Sequence, residues 1–259
     1  MVSTNGVPPD PPLTAVPSGA VHQGAFAPTR WSAVLTAGGS DTAGAQDALA
    51  KLCQIYWYPL YAYVRRRGYG VEDAQDLTQG FFARFLERHW VNRADQGRGR
   101  FRSFLLSALH HFLADEWDKA RAIKRGGGVS PLPMQFDTAE TRYVREPADE
   151  STPERLFERR WAITLLEEVL ARLRAEYEHE RKGQTFAALH PMLVGDCAAL
   201  PYAELATQMG LSENGVKSAV HRLRLRYRQL LREEIAQTVG GPGEVDDELR
   251  HLFAVLSNT

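Results

Sequence analysis

The sequence predicts an all-α protein built as two small helical bundles joined by a linker. Apolar residues recur three and four positions apart in stretch after stretch, and no stretch alternates with period two. The breaks between them carry helix-stopping and helix-starting residues, such as Gly210 before Ser212 and Thr152 before Pro153. There is no phosphate-loop or dinucleotide fingerprint to argue for a strand–loop–helix unit, and Gly126-Gly127-Gly128 reads as a helix stop.

The 259 residues allow one large or two ordinary domains, and a hydrophobic share of 44% is ordinary for a chain that buries a core. The net charge is −1 at pH 7, so any nucleic-acid surface must come from local segregation of charge. Cys53 and Cys197 form no ligand-spaced cluster, which argues against a disulfide framework or a structural zinc site and fits a reducing compartment. No apolar run is long enough to span a bilayer, and no basic start precedes an apolar run. The expectation is a cytoplasmic protein with no membrane insertion, no metal and no cofactor.

Residues 1–30, rich in Pro, Gly, Ser, Thr and Ala, read as a disordered leader. Trp31, Val34 and Leu35 open a short amphipathic segment that Gly38-Gly39-Ser40 ends. From Ala45 to about Arg67, Leu49, Leu52, Cys53, Tyr56, Tyr61 and Val64 share a helical face, and Pro59 is expected to kink or divide that helix. Residues 71–87 make the next helix. Glu72 and Asp73 complement its dipole. Ala74, Leu77, Phe81 and Phe85 form its inner face, with Asp73, Asp76 and Gln79 on the other side and Phe82 nearby. Gly80 weakens it by about 1 kcal/mol relative to Ala.

A polar loop over 92–100 leads to an aromatic-rich helix, 101–125, that ends in Lys119, Arg121, Lys124 and Arg125. Helical geometry turns His110 and His111 apart, and most of Phe101, Phe104, Leu105 and Phe112 are expected in the core. Residues 129–150 read as a linker with at most short helical turns. Ser151 or Thr152 then caps a long helix whose apolar face is Phe157, Trp161, Leu165, Val169 and Leu173. A short helix near Phe186, Leu189 and Leu193 follows. Residues 240–259 form a C-terminal amphipathic extension with Val245, Leu249, Leu252, Phe253 and Leu256 on one side.

The most informative stretch runs from Pro201 to Leu231. Pro201 opens a helix carrying Leu205, Ala206 and Met209; Gly210 suits a left-handed stop and Ser212 suits an N-cap. Val216, Ala219, Val220, Leu223, Tyr227, Leu230 and Leu231 mark the inner face of the second helix. Its outer face carries Lys217, Ser218, His221, Arg222, Arg224, Arg226 and Arg228. Two helices with a short glycine-containing turn are the helix-turn-helix pattern, so the C-terminal bundle is expected to contain one. Glu213, Asn214, Lys217 and Ser218 would lead the second helix into a major groove, while the arginines suit phosphates.

The run Glu72-Asp-Ala-Gln-Asp-Leu-Thr-Gln79 with Phe82, then Phe101-Arg-Ser-Phe-Leu105 and Leu109-His-His-Phe-Leu-Ala-Asp115, then the helix pair, occur in the order and spacing of a bacterial RNA polymerase sigma factor. From about Trp31 to the C-terminus the chain resembles the extracytoplasmic-function group of that family. The resemblance implies that residues 31–128 are a sigma region 2-like domain and 151–239 a sigma region 4-like one. It implies that Asp73, Asp76, Gln79 and Phe82 dock on core RNA polymerase; where the family's pattern has Glu after Gln, this chain has Gly80. It implies that His111, Phe112, Asp115, Lys119, Arg121, Lys124 and Arg125 open and read the minus-ten element as melted single strand. Ser212, Glu213, Asn214, Lys217, Ser218, His221, Arg222 and Arg224 would read the minus-thirty-five element as duplex.

The function expected on this basis is a promoter-specificity subunit with no catalysis of its own. The alternative is a stand-alone helix-turn-helix transcriptional regulator. An enzyme is disfavoured, since no acid pair, triad or ligand set stands at useful spacing; Asp115 and Glu116 beside the histidine pair come nearest. The resemblance also implies control through an anti-sigma partner, phosphorylation or an extension, and the residues select none of these.

Overall fold

The computed structural model describes residues 43–87, 100–122, 136–145, 152–195 and 200–257. The leader, the segment around Trp31, most of the polar loop over 92–100, the triple glycine, Lys124 and Arg125 lie outside them. The described residues form nine α-helices and no strand: α1 (Ala43–Arg66), α2 (Val71–Glu87), α3 (Phe101–Ala122), α4 (Phe136–Arg145), α5 (Pro153–His179), α6 (Gly183–Val194), α7 (Tyr202–Met209), α8 (Glu213–Ala236) and α9 (Val245–Ser257). The protein is all-α among these residues.

Helix α5 is the spine. Thr152 caps it, its hydroxyl accepting the Arg155 N–H at 3.3 Å, and Pro153 fills the first turn where no N–H is needed. Phe157, Trp161, Leu165, Val169 and Leu173 are buried as their spacing predicts. Leu156, Arg160 and Ala162 are buried too, because α5 has neighbours on several sides: α1 along its length, with α6, α8 and α9 also packed on it. Neighbours on more than one side widen the buried arc beyond a single stripe, while Glu167, Glu168 and Arg172 stay exposed. The buried core is one continuous cluster running from Ile55 in α1 to Leu252 in α9. At the α1–α5 seam the Trp161 indole N–H donates to the Tyr56 hydroxyl at 3.1 Å.

Three expectations need correction. Pro59 neither ends nor divides α1, which runs unbroken through it. The residues around it, Tyr58 to Val64, are all buried, because α1 is covered by α2, α4 and α5. That tertiary cover outweighs the helical hydrogen bond a proline removes. The stretch 129–150 contains a ten-residue helix, α4, rather than turns alone. It is polar, and long-range contacts hold it: Arg65 donates to both Glu140 oxygens at 2.9 and 3.1 Å, Tyr61 donates to the same carboxylate, and Ala139 is buried. Arg142 lies 4.3 Å from the Tyr58 ring centroid and pairs with Glu167 of α5. Finally, Phe253 is 55% exposed. The inner face of α9 is Val245, Glu248 and Leu252, a stripe that leaves Phe253 turned outward by about 100° from Leu252.

Candidate nucleic-acid interface

The turn between α7 and α8 is fixed by three residues. Gly210 adopts φ 63°, a left-handed conformation that costs glycine least, and its N–H meets the Ala206 and Thr207 carbonyls. The Leu211 N–H reaches back to Ala206 O at 3.0 Å. Ser212 is extended and caps α8, its hydroxyl accepting the Gly215 N–H at 3.1 Å. Leu205 and Ala206 of α7 and Val216, Ala219, Val220 and Leu223 of α8 are buried, which fixes the rotation of α8 about its axis. That rotation leaves Ser212, Glu213, Asn214, Lys217, Ser218, His221, Arg222 and Arg224 all exposed. The Lys217 ammonium lies 5.9 Å from the Tyr202 ring centroid, a contact that steadies the side chain without withdrawing it from solvent.

The arginines of α8 divide into two sets. Arg222 and Arg228 point to solvent. Arg224 donates to the Met192 carbonyl of α6 at 2.7 Å, and Arg226 grips Glu176 of α5 with two hydrogen bonds at 2.7 and 2.8 Å. That fork holds the Glu176 carboxyl below the usual carboxylate range. Arg232 pairs with Asp246 of α9 at 2.5 Å. Arg224, Arg226 and Arg232 thus brace neighbouring helices, whereas Arg222 and Arg228 stay on the solvent face.

On α2, Asp73 and Asp76 are exposed and Gln79 is half-buried, so the acidic ridge faces outward. Phe82, expected beside it, is a core side chain, 1% exposed and edge-on to Phe81. The reason is that α2 has both α1 and α3 as neighbours, so its buried arc is wide enough to take both phenylalanines. Gly80 sits next to α3: a methyl there would lie 3.4 Å from the tip of Phe112.

On α3, His111, Asp115 and Lys119 form one exposed stripe at four-residue spacing. Phe112 is buried, packed 5.7 Å from Phe81 with Arg84 over its ring, and so belongs to the core in this arrangement. Arg121 lies in the last turn of α3. Arg84 of α2 pairs with Glu116 at 3.3 Å and approaches Asp115 at 3.9 Å, while Lys119 donates to Glu116 at 2.7 Å. His110 bonds the Tyr63 hydroxyl, with Arg67 and Glu154 close by; burial and the Arg67 charge lower its pKa. Trp117 is 55% exposed.

No protein-family model, curated protein or solved structure matches the chain. No helix among the described residues is long and apolar enough to cross a membrane, and no group of three or more His, Cys, Asp or Glu among them could hold a metal ion.

Sequence reasoning missed one charged cluster entirely. Arg102 of α3 is 3% exposed, sits 4.7 Å from the Trp161 ring centroid and pairs with Glu158 of α5 and Glu248 of α9. Burial lowers the Arg102 pKa, and Glu158 opposes that shift. Its partners lie 56 and 146 residues away, so no local spacing could have announced them.

Proposed function

We propose that the protein is a promoter-specificity subunit: it binds core RNA polymerase, directs it to particular promoters and performs no catalysis itself, in the cytoplasm. One observation carries the reading. The same chain exposes a capped, basic-flanked helix start at Ser212–Arg222 and a separate acidic ridge at Asp73 and Asp76. The first has the residue types that read a major groove, since Asn and Lys reach base edges and Arg222 suits a phosphate. The second has the charge expected of a surface that docks on a basic partner. In this reading α7 and α8 are a helix-turn-helix within a C-terminal DNA-reading unit, and α1 to α3 form a second unit whose His111, Asp115, Lys119 stripe faces the opened strand.

A stand-alone helix-turn-helix regulator is the second reading. The continuous core between α1 and α5 favours it, because a single compact body suits a protein that binds one duplex site without polymerase. The deciding experiment mixes the purified full chain with bacterial core polymerase and follows complex formation and transcription from promoters selected out of random duplexes. A stable complex and selective initiation are expected. Duplex binding with no complex on core would transfer the assignment to the regulator.

A further inference from the structure

Lys217, one turn into α8, has two candidate partners. Glu213 stands four residues before it, the spacing at which a glutamate and a lysine pair on a helix surface. Tyr202 stands across the turn, at the start of α7. The side chain takes the ring: its ammonium lies 5.9 Å from the Tyr202 centroid, and among the described residues no carboxylate pairs with Lys217.

The two partners differ in consequence. A carboxylate would neutralise the ammonium and occupy one of its N–H donors. A ring face carries no net charge; it attracts the cation through its quadrupole and leaves the charge and the donors available. The ring is also a fixed platform. Tyr202 is half-buried and packed on the core, and Val216, the neighbour of Lys217, is fully buried, so both ends of the contact are anchored. Lys217 itself is exposed on a long flexible stem, and a lysine gives up rotamer freedom when it meets a partner. A stem already held over a ring gives up less.

We propose that Tyr202 is a positioning residue for base readout: its ring holds the Lys217 ammonium, still charged and with its donors free, where α8 enters the major groove. The proposal rests on α8 entering a major groove, which both readings above share. The Tyr202 hydroxyl takes no part, so the aromatic face alone should suffice.

The test uses the full chain and duplexes selected from random sequence by the wild-type protein, alone and with core polymerase. Titrations with the selected duplex and its single-base variants give the discrimination at each position, and Lys217→Ala marks the position that Lys217 reads. Tyr202→Leu keeps apolar bulk and removes the ring. It should cut discrimination at that position by about two- to fivefold, the worth of a cation–ring contact at an exposed site, and leave other positions alone. Tyr202→Phe should match wild type. In the Lys217→Ala background, Tyr202→Leu should change nothing further. With no DNA present, the Lys217 ε-methylene protons should show an upfield ring-current shift that Tyr202→Leu abolishes and Tyr202→Phe keeps. An equal loss at every position, the same loss without Lys217, or no difference between the Leu and Phe variants would overturn the positioning role while the function stood. Selection of no duplex, with the ring-current shift present, would overturn the function proposed above and the readout role with it.

Discussion

The seam between α1 and α5 can be measured at one hydrogen bond. Trp161 is fully buried, its indole N–H donates to Tyr56 at 3.1 Å, and Tyr56 is itself 1% exposed and edge-on to Phe101. Burial raises the Tyr56 pKa strongly, so the hydroxyl is a neutral partner at every ordinary pH. Tyr56→Phe leaves the Trp161 N–H without this acceptor, at a cost of about 1–2 kcal/mol. Trp161→Phe removes the donor, leaves space where the second ring was and weakens the stacking of Arg102. Together these should cost about 3 kcal/mol. In the double variant neither half of the bond remains, so its loss should be smaller than the sum by about 1 kcal/mol. Urea unfolding of the four proteins, followed by far-UV circular dichroism, gives these differences directly. The same experiment should show one transition, since α1 and α5 share a core. Additive losses, or two separate transitions of which only one moves, would show that the bond does not join the two parts of the chain.

Two further outcomes follow from the exposed charges. Arg222→Ala should weaken duplex binding on every sequence and reduce the salt slope by about 1, whereas Lys217→Ala or Asn214→Ala should relax one or two base positions by about 1–3 kcal/mol each; Arg226→Ala, which breaks the pair with Glu176, should leave the salt slope alone, as binding titrations at several salt concentrations would show. Separately, the hydrogen bonds from Arg65 and Tyr61 hold the Glu140 carboxyl below its ordinary pKa of 4.5, with the Arg65 contribution the larger. A folded-state pKa below the unfolded one means that the α4 contact is fully present above the ordinary carboxylate range and is lost as pH falls through the folded value. Amide protection in α4, corrected for the intrinsic pH dependence of exchange, should therefore fall as pH drops below the ordinary carboxylate range, and Glu140→Gln should show low protection at all pH values.

What could be read from the chain and what could not divide along the length of the interactions. Ser212, Gly210, Thr152 and Pro153 act on backbone groups within a turn of themselves, so their types at those positions disclose the caps. The exposure of Lys217 and Arg222 follows from the period of α8. Helix α4 was not legible, because its anchors are Arg65 and Tyr61, 75 and 79 residues earlier. A period identifies a face, not the number of neighbours that cover it, so the sequence puts Phe82 beside the acidic ridge and leaves Phe112 open between core and strand contact. Each has a second helix against it, and both went into the core. The inner position of Glu248 runs against the pattern altogether: a charged residue on an apolar face reads as an exposed edge until an arginine 146 residues earlier is brought to it.

The basic face of α8 shows how one run of charge can be divided between two duties. Read along the sequence, Lys217 to Arg228 is a single cationic stripe. In three dimensions α6 and α5 approach from residue 224 onward, and their carbonyl and carboxylate groups engage Arg224 and Arg226. An arginine committed to a two-bonded carboxylate would have to surrender that partner to reach a phosphate, so it contributes little to binding nucleic acid. The uninterrupted portion left for a duplex is Glu213 to Arg222, about 15 Å of helix at 1.5 Å per residue, with Arg228 exposed further along. That is enough to enter one major groove, which is about 12 Å wide. If the proposed function holds, so short a grip would gain specificity from a second contact elsewhere on the DNA or from a larger partner that holds it there. Under the function proposed above, the outward Asp73–Asp76 ridge on α2 is where such a partner would attach.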